Sequence, residues 1–306
     1  MEIHLAHTQG FCPGVSSAVE AVNRALAKYG APLYVRHHIV HNTSVIADFE
    51  KKGVVFIEAL SDVPEGGRVI FSAHGISPQV YEEAKARELV YIDATCPLVT
   101  KVHREAITFS QKEIQTVLIG HRGHQELIGT SGYVRPDLLH VVETEEDIEA
   151  LKLDRARPVG YLTQTTLSVT ETAKLIAKLK EIYPHSVGPP KEDICFATQN
   201  RQDAVMTLTQ TCDVVIICGS PQSSNSNRLK ETALGQGIES YIIDMPEELQ
   251  FAWLDGKKRV GISSGASVPR HIVDALVAKI KMIDPNAPVF ESESVEKGIS
   301  FAIPKV

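Results

Sequence analysis

A chain of 306 residues with 43% hydrophobic and 23% charged residues has the composition of a globular protein, and at roughly 100 to 200 residues per domain it would hold two or three domains. Its formal charge of -7 excludes a general polyanion binder, so nucleic acid is not an expected partner and any phosphate ligand must be held by local groups. No apolar run approaches the roughly 18 residues of a membrane span, and Met1-Glu2-Ile3-His4-Leu5-Ala6-His7 lacks the basic and apolar regions of a secretion signal. The expectation is a cytoplasmic protein without a membrane partner.

Residues 2 to 6 read as a short strand, and Gln9-Gly10-Phe11-Cys12-Pro13-Gly14 then leads into a helix. Val15, Ala18, Val19, Val22, Leu26 and Tyr29 recur at helical spacing, and Pro13 suits the first helical position. Cys12 therefore stands at a helix N-terminus, where the dipole and free N–H groups favour a thiolate. Leu33-Tyr34-Val35 precedes the polar run His37-His38-Ile39-Val40-His41-Asn42, in which His37 and His38 read as exposed loop residues. Val69-Ile70-Phe71 precedes Ser72-Ala73-His74-Gly75-Ile76-Ser77-Pro78, where Ser77 can cap a helix opened by Pro78. Leu89-Val90-Tyr91-Ile92 runs into Asp93-Ala94-Thr95-Cys96-Pro97, with Leu98, Val99, Val102 and Ala106 at helical spacing beyond it. A second cysteine thus opens a helix.

The apolar run Thr116-Val117-Leu118-Ile119 ends in the loop Gly120-His121-Arg122-Gly123-His124-Gln125-Glu126-Leu127-Ile128-Gly129-Thr130. Two imidazoles and a carboxylate within it can bind an anion, hold a metal or move a proton, or can be a solvated turn. Val159-Gly160-Tyr161-Leu162 precedes Thr163-Gln164-Thr165-Thr166-Leu167-Ser168, where Ser168 and Glu171 have capping-box spacing. Asp193-Ile194-Cys195-Phe196-Ala197-Thr198 places a third cysteine ahead of a helix bearing Val205 and Leu208. Val214-Val215-Ile216-Ile217 precedes Gly219 to Arg228, and its flanking Cys212 and Cys218 read as small buried hydrophobes. Val260-Gly261-Ile262 precedes Ser263-Ser264-Gly265-Ala266-Ser267-Val268-Pro269. Residues 282 to 306 read as a tail with a late strand, Ile299-Ser300-Phe301-Ala302-Ile303, folding back over the site.

Strand, polar loop and helix start form the recurrent unit, which predicts α/β architecture with parallel sheets covered by helices. Five cysteines form an odd set with no close cluster spacing, which argues against a disulfide framework, a ferredoxin-type run or a zinc ribbon. Cys12, Cys96 and Cys195 instead repeat one structural role at intervals of roughly 90 residues. The loops offer hydroxyls and N–H groups to an anion at helix N-termini, although capping alone accounts for any single Ser or Asn.

Taken together, Gly10-Phe11-Cys12-Pro13-Gly14-Val15, His41-Asn42, Ser72 to Pro78, Asp93-Ala94-Thr95-Cys96-Pro97, Gly120 to Thr130, Thr163 to Ser168, Cys195-Phe196-Ala197-Thr198, Ser223-Ser224-Asn225-Ser226-Asn227-Arg228-Leu229 and Gly265-Ala266-Ser267 resemble the 4-hydroxy-3-methylbut-2-enyl diphosphate reductase family, also called LytB/IspH. The resemblance runs in register from about residue 9 to 270. It implies three similar α/β domains with small parallel sheets around a central iron-sulfur cluster. These would cover residues 14–96, 97–192 and 193–281, with strand 2–13 joined to the third and 282–306 as the tail. It also implies reductive loss of the hydroxyl of an allylic diphosphate, giving isopentenyl and dimethylallyl diphosphate in the last step of the non-mevalonate pathway. The cofactor implied is one [4Fe-4S] cluster held by Cys12, Cys96 and Cys195, with an open fourth iron. Diphosphate-binding positions fall on His41, His74, His124, Ser223, Ser224, Asn225 and Ser267. Proton delivery falls on Glu126 and Thr165, with His124 able to assist and Thr165 also facing the substrate. A flavodoxin or ferredoxin is the implied one-electron donor. Gln125 stands where the family usually has Pro, and Gln199 where Thr is common; neither carries chemistry.

The residues themselves fit such a mechanism. Three thiolates on a four-iron cluster leave one iron able to bind the substrate oxygen. Glu126 and the Thr165 hydroxyl can supply protons, and the diphosphate is a handle whose binding orients a small reactive fragment. A zinc hydrolase, a sugar- or nucleotide-phosphate binding module and a thiol-nucleophile enzyme are the competing readings. Three equivalent cysteines weigh against the last, which needs one.

Overall fold

The computed structural model describes residues 1–306. The first elements are β1 (Glu2–Leu5), α1 (Pro13–Tyr29), β2 (Leu33–Arg36), α2 (Thr43–Lys51), β3 (Val54–Ile57), β4 (Arg68–Phe71), α3 (Pro78–Ala86), β5 (Val90–Asp93) and α4 (Pro97–Gln111). There follow β6 (Gln115–Ile119), α5 (Gln125–Ser131), β7 (Leu139–Val142), α6 (Glu145–Glu149), β8 (Val159–Thr163) and α7 (Val169–Ile182). The last are α8 (Phe196–Thr209), β9 (Val214–Cys218), α9 (Ser224–Gly235), β10 (Glu239–Ile243), β11 (Arg259–Ser264), α10 (Arg270–Ile280) and β12 (Val289–Glu291).

Two compact units divide the chain. One comprises Met1–Ser16, Val40–Lys51 and Phe196–Ser300, and the other Ser17–Ile39, Lys52–Cys195 and Phe301–Val306. The first unit holds a five-stranded sheet in the order β10-β9-β11-β1-β12. The second holds a four-stranded sheet, β3-β2-β4-β5, and a three-stranded sheet, β7-β6-β8. Every strand pairing is parallel. Three small parallel sheets covered by helices are the fold class expected from the repeated strand-loop-helix unit.

The apolar runs are continuous because both faces of each central strand are covered. In β9, Val214 and Ile216 join Ile262 and the α10 residues Val273 and Leu276. Val215 and Ile217 turn the other way, onto Val205 and Leu208 of α8 and Leu229 of α9. In β6, Leu118 packs with Phe109, Leu127 and Leu162, while Val117 and Ile119 pack with Val142 and Leu179. Cys212 and Cys218 belong to the first two of these cores, and burial pushes the Cys218 thiol up to about 12.

Two expectations need correction. The last strand is Val289–Glu291, on the outer edge of β1, and 299–303 is not a strand. There the chain turns at Gly298, with φ 82°, and meets side chains instead of a ladder: the Ala302 carbonyl accepts from Ser17 Oγ at 3.0 Å and the Val306 carbonyl from Lys28 Nζ at 2.7 Å. His37 and His38 are half-buried, not exposed. His37 pairs with Glu58 and His38 lies edge-on to Phe56. No helix is long and apolar enough to cross a membrane.

Candidate active site

One backbone arrangement occurs three times. Cys12, after β1 and before α1, gives its N–H to Ala266 O at 3.0 Å. Cys96, after β5 and capping α4, gives its N–H to Ala73 O at 3.0 Å. Cys195, immediately before α8, gives its N–H to Thr165 O at 3.1 Å. In each case the acceptor is the second residue past a strand: β11, β4 and β8 respectively. The chain leading to each cysteine also runs parallel to that strand, through the β1·β11 and β4·β5 ladders and the Val187–Gly160 bridge. None of the three is in a disulfide, and all three are half-buried. Each therefore lies beside a strand-end loop that carries a nominated polar residue: Ser267, His74 and Thr165.

Helix-start N–H groups do reach the sulfur at Cys12, where Val15 N is 3.5 Å from Sγ. The thiolate expected there is nonetheless not favoured in the metal-free chain. Burial raises the thiol above its usual range, outweighing the pull of Arg201 and of the Val15 and Gly14 N–H groups. Neither unit by itself gathers three His, Cys, Asp or Glu side chains that could hold a metal ion.

In the second unit, Glu126 is 3% exposed, on the first turn of α5. Its Oε1 accepts the Thr165 N–H at 2.5 Å, and its Oε2 lies 3.0 Å from Thr165 Oγ1. Burial raises its pKa to about 7, against the two Thr165 hydrogen bonds, with the Asp193 charge adding to the rise. Because the backbone N–H occupies Oε1, Oε2 is the oxygen free to carry a proton. That proton faces Thr165 Oγ1, whose own hydrogen can then turn outward. His124 caps α5, its Nδ1 accepting the Glu126 N–H at 3.2 Å. In the neutral ring this leaves Nε2 as the donor, the form suited to an anionic oxygen. The His124 and His74 rings meet edge to face, centroids 6.0 Å apart, and Ser72 Oγ is 3.2 Å from His74 Nδ1. Gln125 takes the first position of α5, where Pro would also fit.

Beneath His74, Gly75 has φ +81° and a Cβ there would lie 2.7 Å from His103 Cε1. His103 is buried, stacked on Tyr133 at 4.4 Å, and held neutral by a pKa lowered to about 4 through desolvation. A neutral, packed imidazole thus lies directly under the turn that follows His74.

In the first unit, the Ser267 hydroxyl donates to His41 O at 2.9 Å, joining two nominated positions. Ser223 caps α9, accepting from Ser226 N at 3.3 Å, and Ser224 opens that helix. Asn225 is 5% exposed, yet neither its Oδ1 nor its Nδ2 has a hydrogen-bond partner. A buried amide with both ends open is costly without a ligand. Two glycines let this helix start approach: a Cβ at Gly219 or Gly265 would fall 2.2 or 2.1 Å from Ser226 Oγ.

Thus the structure joins Glu126 with Thr165, Thr165 with Cys195, His74 with His124, and Ser267 with His41. Sequence reasoning did not assign roles to Lys101, His103, Asp193 or Arg201. Only Asp193 had a visible signal, its place two residues before a cysteine. A cavity of about 390 Å³ lined by Tyr161, Thr172, Ile176 and Lys180 contains none of the nominated residues.

Fold and site together define an α/β enzyme of parallel sheets, with thiols at helix starts, hydroxyl, imidazole and amide groups in the loops beyond strand ends and a buried acid poised near neutrality. A family model described as LytB protein matches residues 3–281. The chain is 47% identical over 312 residues to the 4-hydroxy-3-methylbut-2-enyl diphosphate reductase of Nitrosomonas europaea, covering 100% of this chain and 97% of that one. It is 48% identical over 304 residues to 4-hydroxy-3-methylbut-2-enyl diphosphate reductase 2 of Burkholderia mallei, covering 99% and 93%. The solved E-1-hydroxy-2-methyl-but-2-enyl-4-diphosphate reductase of Plasmodium falciparum superposes with a TM-score of 0.93 at 36% identity, over 100% of this chain and 94% of that chain. The chain belongs to the LytB family.

Proposed function

We propose that this protein is a 4-hydroxy-3-methylbut-2-enyl diphosphate reductase, the terminal enzyme of the non-mevalonate pathway. It takes two electrons and two protons to replace the allylic C–OH by C–H, releasing water and giving isopentenyl and dimethylallyl diphosphate. Cys12, Cys96 and Cys195 are the ligands of one [4Fe-4S] cluster. Three half-buried thiols at helix starts are a donor set of the right softness for it. When bound, the cluster supplies electrons one at a time and an open iron as Lewis acid. A flavodoxin or ferredoxin is the electron donor, and the cytoplasm the place of action.

The chain's own groups hold and protonate the substrate. The open amide of Asn225, with Ser223, Ser224, Ser267, His41, His74 and His124, binds the diphosphate. Glu126, neutral below about pH 7, passes its Oε2 proton to Thr165 Oγ1, and Thr165 passes its own to the departing oxygen. We also propose the three-domain division 14–96, 97–192 and 193–281, because β2–β5, β6–β8 and β9–β11 fall within those spans.

The observation that carries this reading is the continuous link from a buried acid of pKa about 7 through Thr165 to the backbone of Cys195. The test is substrate turnover under oxygen-free conditions with a one-electron donor. The account predicts both isoprenoid products, and an Asn225→Ala variant that binds inorganic diphosphate roughly ten- to a hundred-fold more weakly with its iron retained. Colourless protein holding zinc without sulfide would make it a hydrolase. Metal-free protein that still binds diphosphate would make it a binding module.

A further inference from the structure

Lys101 and Asp193 neither hold the substrate nor pass a proton in the chemistry above, yet they form a dense polar knot within five residues of Cys96 and two of Cys195. Lys101 lies on α4, five residues after Cys96. Its Nζ is 2.7 Å from Lys191 O, 3.1 Å from Glu192 O and 2.8 Å from Asp193 Oδ1, with Glu105 Oε1 at 3.4 Å. The Asp193 side chain is wholly buried, and its other oxygen accepts the Thr163 N–H at 2.9 Å. An ammonium has three protons to give. Here they meet acceptors from three successive residues, the last of them two positions before Cys195.

The segment 191–195 is therefore tied down from two directions. A cation on the Cys96 helix holds its start. Asp193 accepts from the end of β8, and the Cys195 N–H goes to Thr165. A buried ion pair is weak evidence of added stability, because desolvation consumes much of its attraction, and its best-attested use is to fix one arrangement among several. The arrangement at stake here is that of a helix beginning with one thiol and a segment ending in another.

We propose that Lys101, acting through Asp193, is the positioning residue that sets Cys195 against Cys96; this rests on the assignment of both thiols to the cluster. Groups that orient metal ligands typically change metal retention about 10- to 100-fold when removed.

Lys101→Met alone leaves a buried carboxylate without its counter-ion and can unfold the chain. The test therefore uses the double variant Lys101→Met/Asp193→Asn, in which Asn still offers an oxygen to the Thr163 N–H and the one carboxylate that loses its cation, Glu105, keeps 15% of its side chain in water. Turnover is not the readout, since the Asp193 charge also bears on Glu126. Full-length parent, double variant and Cys195→Ser are reconstituted without oxygen, and iron release to a chelator is timed. The unfolding midpoint of each metal-free chain is measured alongside. The expected result is iron release at least tenfold faster in the double variant, with a metal-free midpoint within about 3 °C of the parent. Release at the parental rate, with Cys195→Ser losing its iron, overturns the brace and leaves the cluster assignment standing. A metal-free midpoint lowered by well over 3 °C assigns the pair to general stability and also overturns it. Stable iron in Cys195→Ser overturns the assignment on which the brace rests.

Discussion

Glu126 shows how a single environment selects a function. A carboxyl in water is ionised at neutral pH; this one is buried, and its pKa rises to about 7. Since the ordinary value near 4.5 is the lower one, the folded state binds this proton more tightly than the unfolded chain does. The associated stability is complete below pH about 4.5 and is lost as pH climbs through about 7, a difference on the order of 3 kcal/mol. Glu126→Gln cannot ionise, so its unfolding free energy relative to the parent should improve from pH about 4.5 to about 7 and level off above that. Denaturant titrations across that range check this, and parallel curves would contradict it. Turnover of the parent should fall as pH rises through about 7. The Gln variant should lose about 10² to 10⁴-fold of the rate with its iron intact. A Gln variant with normal turnover under saturating substrate would take Glu126 out of the mechanism.

Helix starts are where the chain concentrates its chemistry, and they were also the most legible features. Pro13 and Pro97 after cysteines, Ser77 before Pro78, and Ser168 three residues before Glu171 all mark observed N-termini. The β9 and β6 strands were legible because double-sided burial demands unbroken apolar runs. Less legible was the strand that the tail adds. Val289–Glu291 is three exposed residues whose only cause is the edge of β1, whereas 299–303 has the composition of a strand but joins no ladder. His103 was unreadable for a related reason: its role is defined by Gly75 lying against it, a contact no local pattern encodes. Close approach also makes a prediction at α9. Gly265→Ala sets a methyl 2.1 Å from Ser226 Oγ and 3.6 Å from Asn225 Nδ2. Overpacking of this kind costs about 1–3 kcal/mol, and the displaced helix start should weaken inhibition by inorganic diphosphate. Adding Ser226→Ala should restore both the unfolding midpoint and the inhibition; no loss in Gly265→Ala would show that α9 does not position the ligand groups.

The three cysteine segments, spread from residue 12 to residue 195, share one plan that the sequence showed only as recurring Cys, Pro, Gly and Thr at long intervals. Their common hydrogen bond, from the cysteine N–H to the second residue beyond a strand, is a tertiary fact and needs the folded sheets to be seen. Arg201 likewise ties distant stretches of the first unit. It is fully buried, donating to Ala197 O, Gly10 O and Glu296 Oε1 at 2.8–2.9 Å, so α8, the turn before Cys12 and the C-terminal stretch meet on one guanidinium. Arg201→Met should destabilise the metal-free chain by about 3–5 kcal/mol, because it strands a mostly buried carboxylate; a denaturant midpoint close to the parent's would deny that linkage. The proposed activity depends on whether Cys12, Cys96 and Cys195 carry the cluster. Iron and acid-labile sulfide are to be counted after oxygen-free purification of the parent and of the five single Cys→Ser variants. The account predicts about four of each per parent chain, unchanged in Cys212→Ser and Cys218→Ser and lost or labile in Cys12→Ser, Cys96→Ser and Cys195→Ser. A stable, full complement in any of those three would contradict it.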